Sequence, residues 1–344
     1  MSKHFLVLVG GAILASGAAA QSNVTVYGLM DAGIVRESGG VAGSVTQVGS
    51  GIAGGSRLGF RGAEDLGNGV SATFVLEMGI NIDTGASAQG GTTFGRQAHV
   101  GLSKKGLGSV TLGRQYTPIF NTINALDPFG GVSMAGSGNN MLSEGGIRMN
   151  NTVKLAAAGV GGLVAEVAYG FGESAIDSSA NRNMGAMLGY KLGRFDIRGG
   201  YHRNNNADNS DSGRSAIVGG TVNFSVLKAH LAVQSSKGLV IVNGRAIPNT
   251  DTRDVMVGVT VPLGANTIMA SYTDKNDRSI HAGDARQLAI GLSHRLSKRT
   301  DLYTSIARIR NDAPAGAARF YTVGNASSQG SGDKAYNFGV RHLF

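Results

Sequence analysis

The chain has 344 residues, including 55 glycines, 5 prolines, no tryptophan and no cysteine, and its formal net charge at pH 7 is +9. The absence of cysteine excludes a disulfide scaffold, a cysteine-based zinc site and a cysteine nucleophile. Few prolines suit long, fully paired strands, and the cationic excess is compatible with nucleic acid, an anionic membrane surface or anionic solutes as partners.

The first twenty residues have the pattern of a secretory signal peptide. Lys3 and His4 precede an apolar run from Phe5 to Leu14, and the segment ends in three consecutive alanines at 18–20. An N-terminal membrane anchor would need about 20 apolar residues, and this run is shorter. We therefore expect a signal peptide at 1–20, cleavage before Gln21, and an exported mature chain for which nucleic acid is the least favoured partner.

The remainder of the chain repeats runs of about ten residues in which apolar and polar residues alternate. Each run predicts a β-strand. The predicted strands lie at residues 23–36, 55–65, 69–80, 93–103, 108–116, 148–157, 162–171, 182–192, 194–204, 214–226, 228–237, 252–262, 265–274, 285–296, 299–310 and 334–344.

Short and long connections alternate between these strands. Short links lie at 67–69, 105–107, 262–264 and 297–298, whereas longer ones span 38–54, 117–147, 239–251 and 311–332. Short turns at one end and long loops at the other are typical of a membrane β-barrel. No later run is long and apolar enough for a membrane helix, and no change in composition marks a second domain. We predict one all-β domain at 21–344, an antiparallel transmembrane barrel.

The phase of alternation predicts which side chains face the lumen. In the strand at 69–80, four apolar residues share one face, and Glu77 lies on the other face with hydroxyl residues. An apolar outer face and a polar inner face are the phase of a membrane barrel. By the same test Leu58 and Phe60 face lipid, and Arg57 and Arg61 face a water-filled lumen in which their guanidinium groups stay hydrated.

The chain ends in AYNFGVRHLF, where alternate residues from Tyr336 to Phe344 share one face. This pattern indicates a last strand with aromatic residues directed at lipid. The terminal aromatic residue also resembles the signal that the outer-membrane assembly machinery reads, which implies an assembly role for Phe344.

Several stretches together resemble one family: QSNVTVYGLMDAGI, SRLGFRGAEDLGNG, the strand reaching Leu76-Glu77, GRQAHVGLS, TLGRQYTP and the terminal phenylalanine. They are similar to the trimeric general porins of Gram-negative outer membranes, of the betaproteobacterial type, over essentially the whole mature chain. The resemblance implies a multi-pass barrel of about sixteen tilted strands in the outer membrane. It also implies a third extracellular loop, here Thr117 to Ile147, that folds into the lumen.

The resemblance assigns site residues by position. It implies a basic wall of Arg57, Arg61, Arg96 and Arg148, an acidic wall residue at Glu77, and an acidic loop residue at Asp127. Asp127 precedes the proline of LDPFGG, whereas the family's acid follows it.

Alternation alone leaves some of these positions open. Arg96 shares its phase with Val100 and Leu102, which would direct it outward. Arg114 is ambiguous by the same test. Asp127 and Glu144 could equally be solvated loop charges.

These features together predict a passive channel for small hydrophilic solutes and ions. Four arginines outnumber two acids, so we expect a modest preference for anions. The expected partners are two further copies of the chain, outer-membrane lipid and lipopolysaccharide, and the assembly machinery; no cofactor, metal or catalytic residue is expected. A substrate-specific anion channel of the same fold and an outer-membrane barrel enzyme are the alternatives, although the sequence lacks H-x-x-x-H, P-loop and G-x-S-x-G motifs.

Overall fold

The computed structural model describes residues 23–40, 43–242, 245–313, 321–324 and 332–344. The predicted signal peptide at 1–20 lies outside these residues. Strands dominate the described chain, and its helices are confined to the segment after the seventh strand. Neither of those helices is long and apolar enough to cross a membrane. The elements are β1 (Asn23–Gly40), β2 (Gly43–Ser50), β3 (Arg57–Gly67), β4 (Val70–Asn81), β5 (Ala86–Ser87), β6 (Gln97–Lys104), β7 (Gly108–Tyr116), α1 (Pro118–Leu126), α2 (Ser137–Asn140), β8 (Arg148–Val160), β9 (Leu163–Gly170), β10 (Asn183–Leu192), β11 (Phe195–Asn205), β12 (Ser212–Asn223), β13 (Lys228–Val242), β14 (Arg245–Leu263), β15 (Asn266–Asp277), β16 (Ala285–Arg295), β17 (Thr300–Asn311) and β18 (Lys334–Leu343).

The strands form one antiparallel sheet that closes on itself. Each long strand pairs with its neighbours in the chain, and β1 pairs with β18 from Leu29↔Leu343 to Ser38↔Lys334. The elements β2 and β3 both pair with β1 and together make one interrupted strand, and β5 adds only a two-residue pairing to β4. The result is a closed barrel of sixteen strands, which confirms the predicted fold class. Closure leaves no open sheet edge, as a barrel in lipid requires.

Exposure alternates along the strands and separates an outer from an inner face. On β16, Leu288 and Ile290 are exposed, whereas Gln287 and Ala289 are fully buried. The Gln287 side chain donates to the carbonyl of Ala135 at 2.9 Å, in the segment that follows β7. In a membrane barrel the exposed apolar set faces lipid, so the buried set faces the interior, and the segment after β7 contacts that buried set.

Two predicted long loops are mostly paired strands. The segment predicted as a loop at 38–54 contains β2, which forms a hairpin with β1, and the segment at 239–251 lies within the hairpin of β13 and β14. The stretch 38–54 is rich in glycine, and the stretch 239–251 opens with the uninterrupted apolar run 239–242, so neither shows the regular alternation that predicts a lipid-embedded strand. Backbone pairing continues the sheet past the apolar band, and side-chain bonds such as Arg36 to Thr46 at 3.1 Å join the paired strands.

The segment between β7 and β8 begins with a helix whose start is encoded locally. The Thr117 hydroxyl accepts the Phe120 backbone N–H at 3.1 Å, and Pro118 takes the first helical position. The helix α1 buries Ile119, Ile123 and Leu126.

Glycines in the wall allow this helix to lie close to it. A β-carbon would lie 2.9 Å from the Pro118 ring at Gly185, 2.7 Å from the Thr122 hydroxyl at Gly200, and 2.8 Å from a Leu126 methyl at Gly219. These glycines belong to β10, β11 and β12. Their missing side chains form a seat that holds α1 against one side of the barrel and leaves the other side open to water.

Candidate functional site

Glu77 organises the open side of the lumen. Its Oε1 accepts from Arg96 Nε at 2.8 Å, its Oε2 accepts from the Tyr27 hydroxyl at 2.9 Å, and the Arg57 Nε lies 3.8 Å from Oε2. Glu77 and Arg96 are buried, whereas the Arg57 side chain is 28 % exposed. One carboxylate therefore neutralises Arg96 closely and Arg57 only in part.

Two tyrosines connect the remaining arginines. The Tyr116 hydroxyl accepts from Arg96 at 2.7 Å and from Arg148 at 3.5 Å, and the Arg148 guanidinium lies 4.9 Å from the centre of the Tyr116 ring. Arg61 lies 5.2 Å from the centre of the Tyr27 ring. Stacking on aromatic faces holds guanidinium groups without cancelling their charge. The four arginines of the predicted basic wall thus lie in one connected cluster with Glu77.

The Arg96 side chain lies inside the barrel because Arg96 precedes the first residue of its strand, so the alternation of that strand does not fix its direction. The strand β6 begins at Gln97, four residues later than predicted, and the Arg96 N–H bonds to the Glu77 carbonyl at 3.1 Å. The phase of Val100 and Leu102, which are exposed on the outer face, therefore does not extend to Arg96. The prediction from alternation alone, an outward Arg96, is wrong for this reason.

Two cavities follow this cluster through the barrel. The lower one, of about 640 Å³, lies between the basic wall and the segment after β7, from which it is lined by Asn121, Asn124, Phe129 and Gly130. The upper one, of about 660 Å³, reaches Arg148 and Glu37. Arg96 and Val132 line both cavities. The two cavities therefore adjoin at these two residues.

The lower cavity carries a positive excess. Its charged lining consists of Arg57, Arg61, Arg96 and Arg341 against Glu77 alone. The Arg341 guanidinium donates two bonds to the Asp301 carboxylate, both 3.0 Å long. Asp301, which does not line the cavity, therefore neutralises the charge of Arg341. Arg57 and Arg61 remain as the weakly neutralised cations that face the water.

Asp127 does not face these arginines. Its carboxylate accepts the N–H of Phe129 at 2.9 Å and of Gly138 at 2.7 Å, and its side chain is buried within the segment itself. Burial raises the pKa of Asp127 to about 6. Asp127 therefore fixes the tip of the loop, and its position matches neither the acidic constriction residue that the resemblance implies nor the alternative of a solvated loop charge.

Glu144 is likewise buried. It bonds to Lys275 at 2.6 Å and accepts from Gln234 at 2.9 Å, and Lys275 bonds to Asp254 at 2.7 Å as well. The Tyr321 hydroxyl donates to the same Glu144 carboxylate at 3.4 Å. The cluster attaches the loop to β13, β14 and β15, so Glu144 serves as an anchor and not as a solvated charge.

Of the other predicted residues, Arg114 lies on the outside of the wall, and Phe344 lies at the end of the barrel, where it also lines the lower cavity. Arg114 pairs in register with Ala98, next to the exposed Leu112 and Val100, and its side chain bonds to the Gly95 carbonyl and to Asn150. Phe344 bonds to the Gly28 backbone in both directions, at 3.1 and 3.2 Å, and a β-carbon on Gly28 would collide with its ring.

The sequence patterns assigned no site role to Tyr27 and Tyr116. Alternation does contain a signal for Tyr27, because Val24 and Val26 are exposed on the outer face and Tyr27 has the opposite phase. Tyr116 is the last residue of β7, where phase is least informative. Within the described ranges, no group of three acidic or histidine side chains could hold a metal ion.

A closed sixteen-stranded antiparallel barrel with an apolar exterior and a charged, water-filled interior defines a transmembrane channel. Residues 6–314 match the family described as Gram-negative porin, so the chain belongs to the Gram-negative porin family. It is an outer-membrane porin with a transmembrane barrel.

Named relatives agree with this membership. Outer membrane porin protein 32 of Delftia acidovorans is 30 % identical over 365 residues, and an outer membrane porin protein of Bordetella pertussis is 28 % identical over 398 residues; both alignments cover 100 % of each chain. The anion-selective porin from Comamonas acidovorans superposes with a TM-score of 0.81 at 27 % identity, over 94 % of this chain and 100 % of that one. OmpF of Salmonella typhi, at 15 % identity and a TM-score of 0.67 over 93 % of this chain and 97 % of that one, shares the fold.

Proposed function

We propose that this porin is a general diffusion channel for small hydrophilic solutes and ions, with a modest preference for anions. The observation that carries the proposal is the positive excess of the lower cavity, where Arg57 and Arg61 face water and Glu77 is the one lining acid among the described residues. The similarity to a porin whose printed name is anion-selective supports it.

The spacing of the arginines favours transit over tight binding. Arg57 and Arg61 are four residues apart on one strand and share a face, so their α-carbons lie roughly 13 Å apart along it. An anion can pass from one to the other while keeping part of its hydration. Two opposite charges about 4 Å apart in water attract by only about 1 kcal/mol, so the preference is modest and decreases as salt screens it.

The test is the reversal potential across a potassium chloride gradient in a planar bilayer. Wild type is expected to favour chloride, and Arg57→Glu with Arg61→Glu is expected to move the potential toward potassium. Arg36→Glu with Arg308→Glu changes the net charge equally on exposed outer positions and is expected to leave the potential unchanged. A potassium-selective wild type, or equal effects of the two pairs, would contradict the proposal.

Liposome swelling separates a general channel from a substrate-specific one. Entry of neutral sugars that declines smoothly with size supports the general channel, and entry confined to one anion supports the specific one. We further propose that the channel works without catalysis or cofactor, because passive diffusion requires neither.

We also propose that the channel is a homotrimer that contacts outer-membrane lipid and lipopolysaccharide and that the assembly machinery reads Phe344. The position of Phe344 supports the last point, since its backbone joins the end of the last strand to Gly28 on β1. Deleting Phe344 is expected to lower the yield of assembled porin at unchanged single-channel conductance. A changed conductance at normal yield would assign Phe344 to the pore instead.

A further inference from the structure

Cations line the outer face of the barrel at the ends of the strands that lead into the long loops. We define the outer cationic belt as nine residues on β11–β14, β16–β18 and β1: Arg203, Arg214, Lys237, Arg253, Arg286, Arg308, Arg310, Lys334 and Arg36. All are exposed except Arg203, which is half-buried. Each lies on the same face of its strand as lipid-facing residues nearer the middle of the barrel, for example Val218 on the strand of Arg214 and Ile306 on the strand of Arg308. The belt therefore borders the apolar band.

The belt places like charges directly opposite one another. In register across neighbouring strands, Arg203 pairs with Arg214, and Arg214 pairs with Lys237. Arg286 likewise pairs with Arg310, and Arg308 pairs with Lys334. Like charges opposite each other on one face of a sheet destabilise the pairing. Four such pairs along one row concentrate positive charge on this part of the outer face.

Acids on the same face leave most of this charge uncompensated. Asp251 lies 3.8 Å from Lys237, Asp274 lies 2.9 Å from Arg286, and Asp312 lies 3.4 Å from Arg310. Asp251 is also shared with Arg278 at 2.5 Å. Within the described residues, Arg214, Arg253, Arg308 and Lys334 make no ion pair with any acid.

We propose that the outer cationic belt binds the phosphate groups of a phosphorylated glycolipid of the outer leaflet, with the acyl chains lying on the apolar band below. The inference rests on the proposed contact with lipid and adds its site and its chemistry. Arginine forks match phosphate oxygens in pairs, and one phosphate between two opposed cations removes their repulsion. The partner is a lipid and not a free anion because the belt adjoins lipid-facing residues along seven consecutive strand pairings from β11 to β18.

The chemistry of the belt also predicts independence from divalent cations. A site built of carboxylates would need magnesium or calcium to hold a phosphate, whereas a site built of arginine and lysine contacts the phosphate directly. Binding should therefore survive chelation and should weaken as salt screens the charges.

The experiment uses the folded porin in mild detergent with bis-phosphorylated lipid A, and native mass spectrometry counts the bound lipid. The belt variant is Arg203→Gln, Arg214→Gln and Lys237→Gln. The matched control is Lys105→Gln, Lys298→Gln and Arg299→Gln, three exposed cations in short turns at the opposite end of the barrel. The belt variant is expected to lose affinity by about tenfold or more, since each cation near an anionic lipid surface contributes roughly fivefold. The control should bind as wild type does, with or without EDTA.

Dephosphorylated lipid A and inorganic phosphate separate the possible sources of binding. We expect little binding of the dephosphorylated lipid and no displacement of lipid A by millimolar phosphate. Equal binding by the belt variant and wild type, an equal loss in the control, or equal binding of the dephosphorylated lipid would overturn the proposal. The single-channel conductance of the belt variant should equal that of wild type. Conductance therefore tests the proposed channel function separately from the proposed lipid binding.

Discussion

At the scale of single residues, Glu77 sets how much positive charge the water column presents. It is the shared partner of Arg57, Arg96 and Tyr27, and it is nearly inaccessible. A buried carboxylate between two guanidinium groups stabilises their arrangement and subtracts one unit from the field that anions meet. Glu77 therefore stabilises the fold of the wall and at the same time weakens the preference of the channel for anions.

Glu77→Gln tests this opposition. The amide can still accept from Tyr27, but Arg96, which is 3 % exposed, loses its charged partner. Removing one member of a buried ion pair typically costs about 3–5 kcal/mol, so we expect a lower thermal midpoint. The reversal potential should move further toward chloride. A shift toward potassium would show that the arginines leave the lumen when Glu77 is removed.

Asp127 allows a prediction about pH. Its pKa in the folded chain is about 6, against an ordinary value of 3.8, because burial disfavours the charged carboxylate. The folded state therefore holds the proton more tightly than the unfolded state, and the free energy of unfolding falls as pH rises from about 4 to 6. Asp127→Asn cannot titrate.

The measurement compares thermal midpoints of wild type and Asp127→Asn in detergent between about pH 4 and pH 7. The difference in stability, wild type minus variant, is expected to fall across this window by on the order of 2–3 kcal/mol. Other acids titrate in both proteins and cancel in the difference. A constant difference would mean that the Asp127 carboxylate has an ordinary pKa.

At the scale of elements, the strands in the apolar band were predictable and the loop inside the barrel was not. Alternation of lipid-facing and lumen-facing residues is a local pattern, so all sixteen strands were located, and most of their ends were predicted to within a few residues. The hairpin extensions of β1–β2 and β13–β14 do not alternate regularly, because 38–54 is rich in glycine and 239–242 is apolar throughout. The path of α1 depends on Gly185, Gly200 and Gly219 on three other strands, a fit between distant parts of the chain that no local pattern reports. Alternation placed Arg57 and Arg61 on the lumen side, whereas Arg96 and Arg148 were assigned by the family resemblance alone. The positions of Asp127 and Glu144 depend on the fold of the loop and could not be predicted from either.

The glycine seat of α1 predicts how pore size is set. A β-carbon at Gly200 would lie 2.7 Å from Thr122 and 3.2 Å from the Ile119 backbone, so Gly200→Val should push α1 toward the lumen and reduce single-channel conductance. The adjacent Gly199 points outward and would meet only a carbonyl at 3.7 Å. Gly199→Val is thus a control with the same change in strand propensity. Equal conductance of the two variants would show that the helix is not held by the wall.

At the scale of the whole molecule, charge is distributed differently on two halves of the outer surface. The cationic belt occupies β11–β18 and β1, whereas within the strands β3–β10 Arg114 is the one described cation at the corresponding ends of the outer face. A half that carries a phosphate-binding row suits contact with lipid headgroups. A half without one suits contact with protein.

The half without the belt is therefore where we expect the copies of a trimer to meet. Its outer face carries an apolar groove of about 470 Å³ lined by residues that include Leu102, Val110, Leu155 and Val167, on neighbouring strands β6 to β9. Leu102→Arg should convert the trimer to monomers, because the arginine would have to be desolvated between subunits. Ile290→Arg is the control: it places an arginine at a comparably exposed lipid-facing position on the belt side, destabilises the barrel by a similar amount and leaves the interface intact.

Light scattering in mild detergent should give the trimer mass for wild type and Ile290→Arg and the monomer mass for Leu102→Arg. A monomeric wild type would refute the trimer, and a trimeric Leu102→Arg would move the interface elsewhere on the barrel.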